Sequence, residues 1–269
     1  FNRKPGISLT CAGEHVLEFA RNFIKESTNL QHTLYDIGNQ EAGLLRIGAS
    51  TPRANSFLPQ ILPEFSRRYP KVEIRLTDSI SSKLEQMLEI GDLDFAVVLS
   101  EKTSESNYYH LFDDTVCLCV SDELLKRYYG AESETLKKKA AKGAEVQNFA
   151  RLPFCLPSNR LGDNLKKCFA NANCNVNTYL TSTYSIIPLS ACTQGLAACF
   201  LTELNLFSQK KYIPEDINVF PIVVDGKPLV QKLALIHHKD SYLSKYEKYF
   251  LELTFRFFKD MKHLGITGQ

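Results

Sequence analysis

Two clusters of hydroxyl side chains stand where a small ligand can be held. Ser50-Thr51 closes the apolar run Leu44–Ala49 and precedes a helical pattern. Thr181-Ser182-Thr183 follows the run Asn177–Leu180 and precedes another. Open α/β sheets take ligands outside the carboxyl ends of their strands. A helix that starts there directs free N–H groups and the positive end of its dipole at the site. Neither cluster contains Asp or Glu, so both suit a small carboxylate or other anion better than an amine, and Arg53 can add a cation. Pro52 subtracts one N–H from the first corner. The same residues read equally well as plain helix N-caps.

Reactive groups are otherwise sparse. The signatures G-x-S-x-G, H-E-x-x-H, G-x-x-x-x-G-K-[ST] and G-x-G-x-x-G do not occur, so neither an enzyme nor a cofactor is expected. The eight cysteines (Cys11, Cys117, Cys119, Cys155, Cys168, Cys174, Cys192 and Cys199) include no C-x-x-C pair. They read as buried small hydrophobes in a reducing compartment. Cys192 and Cys199 lie in an apolar stretch without a nearby His, which suits structural thiols. His237-His238 is the one histidine cluster, and neighbouring strand positions face opposite ways, so no metal site is expected.

The elements that must position these groups follow from periodicity. Thr10 can cap a helix that runs to Gly38-Asn39. Within it Val16, Ala20, Phe23, Ser27, Leu30, Leu34 and Ile37 alternate in steps of four and three, a heptad seam that needs a partner. After Glu41-Ala42-Gly43, strand and helix alternate. Leu44–Ala49 is followed by a helical stripe of Phe57, Leu58, Ile61, Leu62 and Phe65, then by the strand Val72–Thr77. Ser82-x-x-Glu85 reads as a capping box for a helix that Gly91 closes, and Phe95–Leu99 is a buried strand. This is an α/β layer with right-handed crossovers. The strand Leu111–Val120 and a solvated, lysine-rich excursion over Leu124–Lys142 lead into a second such round. Its strands lie near Pro153–Leu156, Asn177–Leu180 and Leu196–Leu201, and its helices at Asp163–Asn171 and Ser185–Cys192. Strands near Ile217–Val223 and Gln231–His237 and a last helix through Met261 complete the pattern.

Bulk properties bound the function. The chain has 269 residues, enough for two domains, and is 44% hydrophobic and 23% charged, as globular proteins are. With 32 Lys and Arg against 30 Asp and Glu, the net charge of +2 is too small to hold nucleic acid by the whole surface, so any DNA contact belongs to a local element. The most apolar stretch, Ile186–Leu201, is broken by Ser190, Thr193, Gln194 and Gly195, and the first residues lack a signal-peptide core. A cytoplasmic protein with no membrane partner is expected.

Several fragments, taken in order, resemble the LysR-type transcriptional regulators over nearly the whole chain. Phe1-Asn2-Arg3 with Leu9-Thr10-Cys11-Ala12-Gly13-Glu14 is similar to the family's wing and the start of its linker helix. Leu45-Arg46-Ile47-Gly48, Leu58-Pro59, Phe65 and Tyr69-Pro70-Lys71-Val72 resemble the opening of its effector-binding region. Gly91-Asp92-Leu93-Asp94-Phe95-Ala96 and Gln194-Gly195-Leu196-Ala197-Ala198 resemble two later elements. The resemblance implies an α/β, two-lobed effector domain of the type 2 periplasmic-binding-protein fold, preceded by a long dimerisation helix. It implies a wing remnant at 1-10, the linker helix at 11-42, lobe I at 43-121 and 237-269, and lobe II at 122-236. Carried over, Ser50, Thr51, Thr181, Ser182 and Thr183 line the effector site, with His110 near the hinge. Arg3 and Lys4 become wing residues near DNA phosphate, and Val16, Ala20, Phe23, Leu30, Leu34 and Ile37 the dimerisation seam. The implied partners are a small anionic effector, a second copy or four copies together, and DNA through a longer parent whose recognition helix would precede residue 1. A solute-binding protein of the same fold is the competing reading, against which the long helix and the unpaired cysteines argue.

Overall fold

The computed structural model describes residues 2–4, 6–37, 42–99, 106–184, 186–239 and 241–264. Side chains are not described at 2–4, 6–8, 25, 28–29, 31–33, 35–37, 106 and 262–264. The chain forms two compact units, Phe1–Phe112 with Leu233–Asp260, and Asp113–Lys232 with Met261–Gln269.

Unit 1 opens with a ribbon of β1 (Asn2–Lys4) and β2 (Gly6–Ser8), paired antiparallel with Arg3 opposite Ile7. Helix α1 (Cys11–Ile37) follows. Its cap is the expected Thr10, whose Oγ1 accepts from Gly13 N at 3.1 Å and whose carbonyl accepts from Glu14 N. Along the seam Val16, Phe23, Leu30 and Leu34 are all exposed, Phe23 by 66%, while Ala20 is half-buried; the side chain of Ile37 lies outside the described residues. Five elements then alternate: β3 (Ala42–Ala49), α2 (Thr51–Arg68), β4 (Lys71–Thr77), α3 (Ser81–Glu89) and β5 (Phe95–Val98). Strand β3 lies parallel to both β4 and β5, as crossover helices require. Leu76 is 53% exposed because β4 is the sheet's edge, so the alternation there does not mark a buried face.

The long strand β6 (Ser106–Ser121) crosses from unit 1 into unit 2 within one unbroken extended run. A continuous strand carries no turn signal, which is why residue patterns place this crossing later in the chain. Unit 2 continues with α4 (Asp122–Tyr129), α5 (Ser133–Ala140), β7 (Pro153–Pro157), α6 (Arg160–Asn171), β8 (Asn177–Ser182), α7 (Ile186–Thr193), β9 (Ala198–Thr202), α8 (Glu203–Gln209), β10 (Ile217–Pro221), β11 (Val223–Val224) and β12 (Lys227–Pro228). Strand order is β10-β6-β9-β7-β8, with β7 parallel to β8 and β9. The lysine-rich stretch is not a merely solvated excursion. Leu124, Leu125 and Tyr129 of α4 are buried in the unit 2 core, and Lys137 is paired with Asp122 at 2.8 Å and Glu134 at 2.9 Å.

The chain returns through β13 (Val230–His238) and α9 (Lys245–Leu264), giving unit 1 the order β4-β3-β5-β13-β6. The capping box expected at Ser82–Glu85 is absent. Ile80 precedes α3, Ser82 lies inside it, and the Ser81 hydroxyl accepts instead from Leu99 N. The box forms at α9, where Glu247 N donates to Ser244 Oγ and the Glu247 carboxylate accepts from Ser244 N at 2.7 Å. One face of this sheet carries Leu84, Leu88, Leu93 and Ile236. Against the other stand rings from α2 and α9, with Phe250 stacked on Phe95 and edge-on to Phe65.

His237 of β13 is 2% exposed, stacked on Tyr109 and edge-on to Phe95. Its Nδ1 lies 2.9 Å from the His238 carbonyl oxygen, which can only accept, so Nδ1 carries the proton of the neutral ring. Burial pushes its pKa below the usual histidine value, opposed by that carbonyl and by Glu247. The folded state then binds fewer protons than the unfolded chain, so this contribution to stability is full above about pH 6.5 and falls as pH drops toward the lowered value. Urea midpoints at pH 7.5 and 5.5 should fall less for His237→Phe than for the native chain; equal falls would assign the acid sensitivity elsewhere.

Candidate functional site

The corner after β3 is set by a half-buried clamp. Arg46 N donates to Asp94 Oδ2 at 2.7 Å, Asp94 N returns a bond to the Arg46 carbonyl, and the guanidinium reaches Asp94 Oδ1 and the Gly91 carbonyl, each at 2.6 Å. Burial raises the Asp94 carboxyl while Arg46 opposes the shift. Gly91, at φ +80°, makes the left-handed turn that aims its carbonyl there. Further along β3, Gly48 leaves space that Leu84 and Leu93 fill, so α3 packs directly on the strand.

Beyond Ala49, Ser50 stands at the N-cap position of α2 with an extended backbone but without a side-chain cap bond. The first N–H of the helix, Thr51 N, instead donates to Asp78 Oδ1 at 2.8 Å. Asp78 follows β4, the parallel neighbour of β3, so two strand ends meet at one helix start. The cluster itself lacks an acid, as the sequence shows, yet the fold supplies a carboxylate from 27 residues away. Pro52 sits in the first turn, where its missing N–H is tolerated. Both Thr51 and Asp78 are exposed.

Two corners occur in unit 2. Thr181 and Ser182 end β8, with Thr181 and Thr183 exposed. Ser182 is spent locally, its hydroxyl donating to the Tyr184 carbonyl and accepting from Tyr184 N at 3.0 Å. The counterpart of Ser50-Thr51, by position after the strand flanked on both sides by parallel neighbours, is Ser158-Asn159 after β7. Asn159 caps α6 by accepting from Leu161 N at 2.9 Å, and Ser158 N donates to the Ser182 carbonyl, tying the two corners together. A Cβ at Gly162 would overlap the Pro157 carbonyl oxygen, so only glycine lets α6 start this close to β7. Residue types pointed to Thr181–Thr183 and missed this corner, although Ser-Asn after an apolar run is a helix-start signal. His110 lies on the unit 1 part of β6 with its side chain exposed. The backbones of Arg3 and Lys4 form β1, and their side chains lie outside the described residues.

Among the described residues no three His, Cys, Asp or Glu side chains are arranged to hold a metal, and no helix is long and apolar enough to cross a membrane. The arrangement is built for hydrogen bonding at helix starts.

Comparison with known proteins places this geometry. The LysR substrate binding domain model matches residues 38–258. The HTH-type transcriptional regulator YtlI of Bacillus subtilis is 35% identical over 124 residues, 46% of this chain and 40% of YtlI. The matched segment thus spans about two-fifths of that relative's length. The fold is shared with the regulatory domain of Synechocystis PCC6803 CcmR in complex with 2-PG (TM-score 0.62, 18% identity, 81% of this chain and 99% of that one). It is also shared with full-length CbnR complexed with its target DNA (TM-score 0.57, 16% identity, 93% and 82%).

Proposed function

The chain belongs to the LysR family through its substrate-binding domain, and from that premise we propose that it senses a small anionic effector and passes the signal to DNA as part of a transcriptional regulator. The observation that carries the anionic reading is the carboxylate of Asp78 on Thr51 N. The start of α2 accepts a carboxylate, and a ligand carboxylate or phosphate can take the same N–H by displacing it. Ser50, Thr51, Thr181, Ser182 and Thr183 are the proposed effector contacts, with His110 of β6 as a further one. Support for a small-molecule effector comes from CcmR, whose regulatory domain is found with 2-PG. Support for DNA as partner comes from CbnR on its target DNA. In this reading Arg3 and Lys4, on the ribbon that precedes α1, meet phosphate and position the protein without reading bases.

A thermal-shift panel of carboxylates and phosphates selects the probe, since a ligand at a hundredfold excess over its dissociation constant adds about 2.7 kcal/mol. Calorimetry with that probe should show Thr51→Val and Thr183→Val each weakening binding by roughly ten- to a hundredfold, the worth of about 1.5–3 kcal/mol for a hydrogen bond to a charged group. Asp78→Asn should tighten it by removing the resident competitor. Unchanged affinity in both Val variants with the fold intact would put the effector site elsewhere. Weaker binding in Asp78→Asn would make the effector a cation.

We also propose that the exposed seam of α1 is covered by a second copy. Leu30→Glu with Leu34→Glu places like charges in that seam and should halve the sedimenting mass; an unchanged mass would put the main interface elsewhere.

A further inference from the structure

The lysine-rich stretch on α5 has no part in the effector corners, yet the fold holds it firmly. Leu136 and Ala140 pack against the unit 2 core, and the Ser133 hydroxyl donates to the Gly130 carbonyl at 2.8 Å. Lys137 is the anchor. Its ammonium meets Asp122 and Glu134, and Asp122 also accepts from Asn218 Nδ2 at 2.8 Å. The turn after α5 is fixed as well: Lys142 N donates to the Lys139 carbonyl, and Ala144 N to the Pro221 carbonyl at 2.7 Å.

Beside that anchor stand three exposed lysines, Lys138 and Lys139 on α5 and Lys142 in the turn. The neighbouring acids are engaged elsewhere. Glu134 is held by Lys137, Glu132 by Arg151 at 3.5 Å, Glu123 by Arg127, and Glu145 by the amide of Gln147 at 3.0 Å. Lys138, Lys139 and Lys142 enter no ion pair among the described residues. The carboxyl end of a helix dipole favours a nearby cation. Lys137 already supplies one in the last turn, so the dipole alone does not account for three more.

We infer that Lys138, Lys139 and Lys142 form a sequence-independent contact for the phosphates of duplex DNA, carried by unit 2 in addition to the ribbon of unit 1. The inference rests on the reading of the chain as part of a DNA-bound regulator. Lysine binds phosphate as a point charge. Lys138 and Lys142 stand about one helical turn, roughly 5.4 Å, apart, and each strand of a duplex carries a phosphate about every 3.4 Å along the axis. One strand can therefore meet both. Other anionic partners fit this face less well. Protein interfaces are depleted in Lys and centre on buried aromatic or Arg anchors, and single strands are held by stacking on aromatic rings. The exposed side chains of α5 are Glu134, Thr135, Lys138 and Lys139, none of them aromatic. Three phosphate contacts carry a log–log salt slope of about −2.7, so their share of the affinity falls roughly fortyfold between about 50 and 200 mM salt.

The test is fluorescence anisotropy across that salt range with two labelled duplexes of unrelated sequence. The chain is compared with a variant carrying Lys138→Gln, Lys139→Gln and Lys142→Gln together, with Lys137 left in place to hold the fold. The triple variant should bind both duplexes more weakly and flatten the slope by about 2–3. Arginine at the same three positions should restore the slope, which a merely structural role would not predict. Arg3→Gln with Lys4→Gln reports on the ribbon separately: a slope lost there and kept in the triple variant overturns this inference and leaves the DNA reading standing. A native chain that binds neither duplex at low salt overturns both. Tighter binding of polyglutamate than of the duplex would make the partner an acidic protein, and tighter binding of single-stranded DNA an unpaired strand; either result overturns the inference. So does a slope that arginine fails to restore.

Discussion

The Arg46–Asp94 clamp is the interaction on which the unit 1 corner depends. It bonds backbone to carboxylate, backbone to backbone, and guanidinium to both carboxylate and Gly91 carbonyl. One residue beyond it, Ile47 pairs with Phe95, so the clamp sets the register of β3 against β5. A slip of one residue would turn Leu45 and Ile47, both fully buried, to the wrong face. Breaking a fully buried ion pair costs about 3–5 kcal/mol, and this half-buried one costs less, still a sizeable share of the roughly 5–15 kcal/mol that holds a domain together. Four residues after Arg46 the strand has ended and Ser50 stands at the start of α2. Two of the fragments that carry the family resemblance in this unit are therefore the two halves of one clamp, and their chemistry is that of positioning.

The corners that this framework presents differ in how they use their polar groups. In unit 1 the helix start is met by a carboxylate from a neighbouring strand end, and Ser50 makes no cap bond. In unit 2 Asn159 caps its own helix, and Ser182 closes its own turn. Hydroxyls and amides already spent on capping contribute rigidity. Those held by an exchangeable partner such as the exposed Asp78 are the ones a ligand can claim at the cost of one charge-assisted bond.

Much of the architecture was legible in the residues. The Thr10 cap, the seam of α1 and the alternation from β3 to β5 rest on local signals: a hydroxyl before an apolar period, Gly91 after one, and β-branched runs. Non-local features were not legible. Asp78 reaches Thr51 only because β4 lies beside β3, and spacing along the chain carries no trace of that. Ser82 and Glu85 have the right separation for a capping box, but strand-end packing engages Ser81 and starts the helix two residues early. Helix α8 was missed because seven residues are too few to show a period; Asp114, on β6, and Thr202 hold its first N–H groups. Of the cysteines read as buried, Cys117, Cys119, Cys155, Cys192 and Cys199 are so, while Cys11 is exposed and Cys168 and Cys174 are half-buried; that Cys119, Cys199 and Cys155 stand side by side depends on register across three strands.

Hydrogen–deuterium exchange tests the account most directly, with and without the carboxylate or phosphate that gives the largest thermal shift. The account predicts slowed exchange at the start of α2, around Thr51–Ala54, and beside Thr181–Thr183, with little change along α9. Protection that spares both corners, or a panel in which cations alone stabilise the chain, would contradict it.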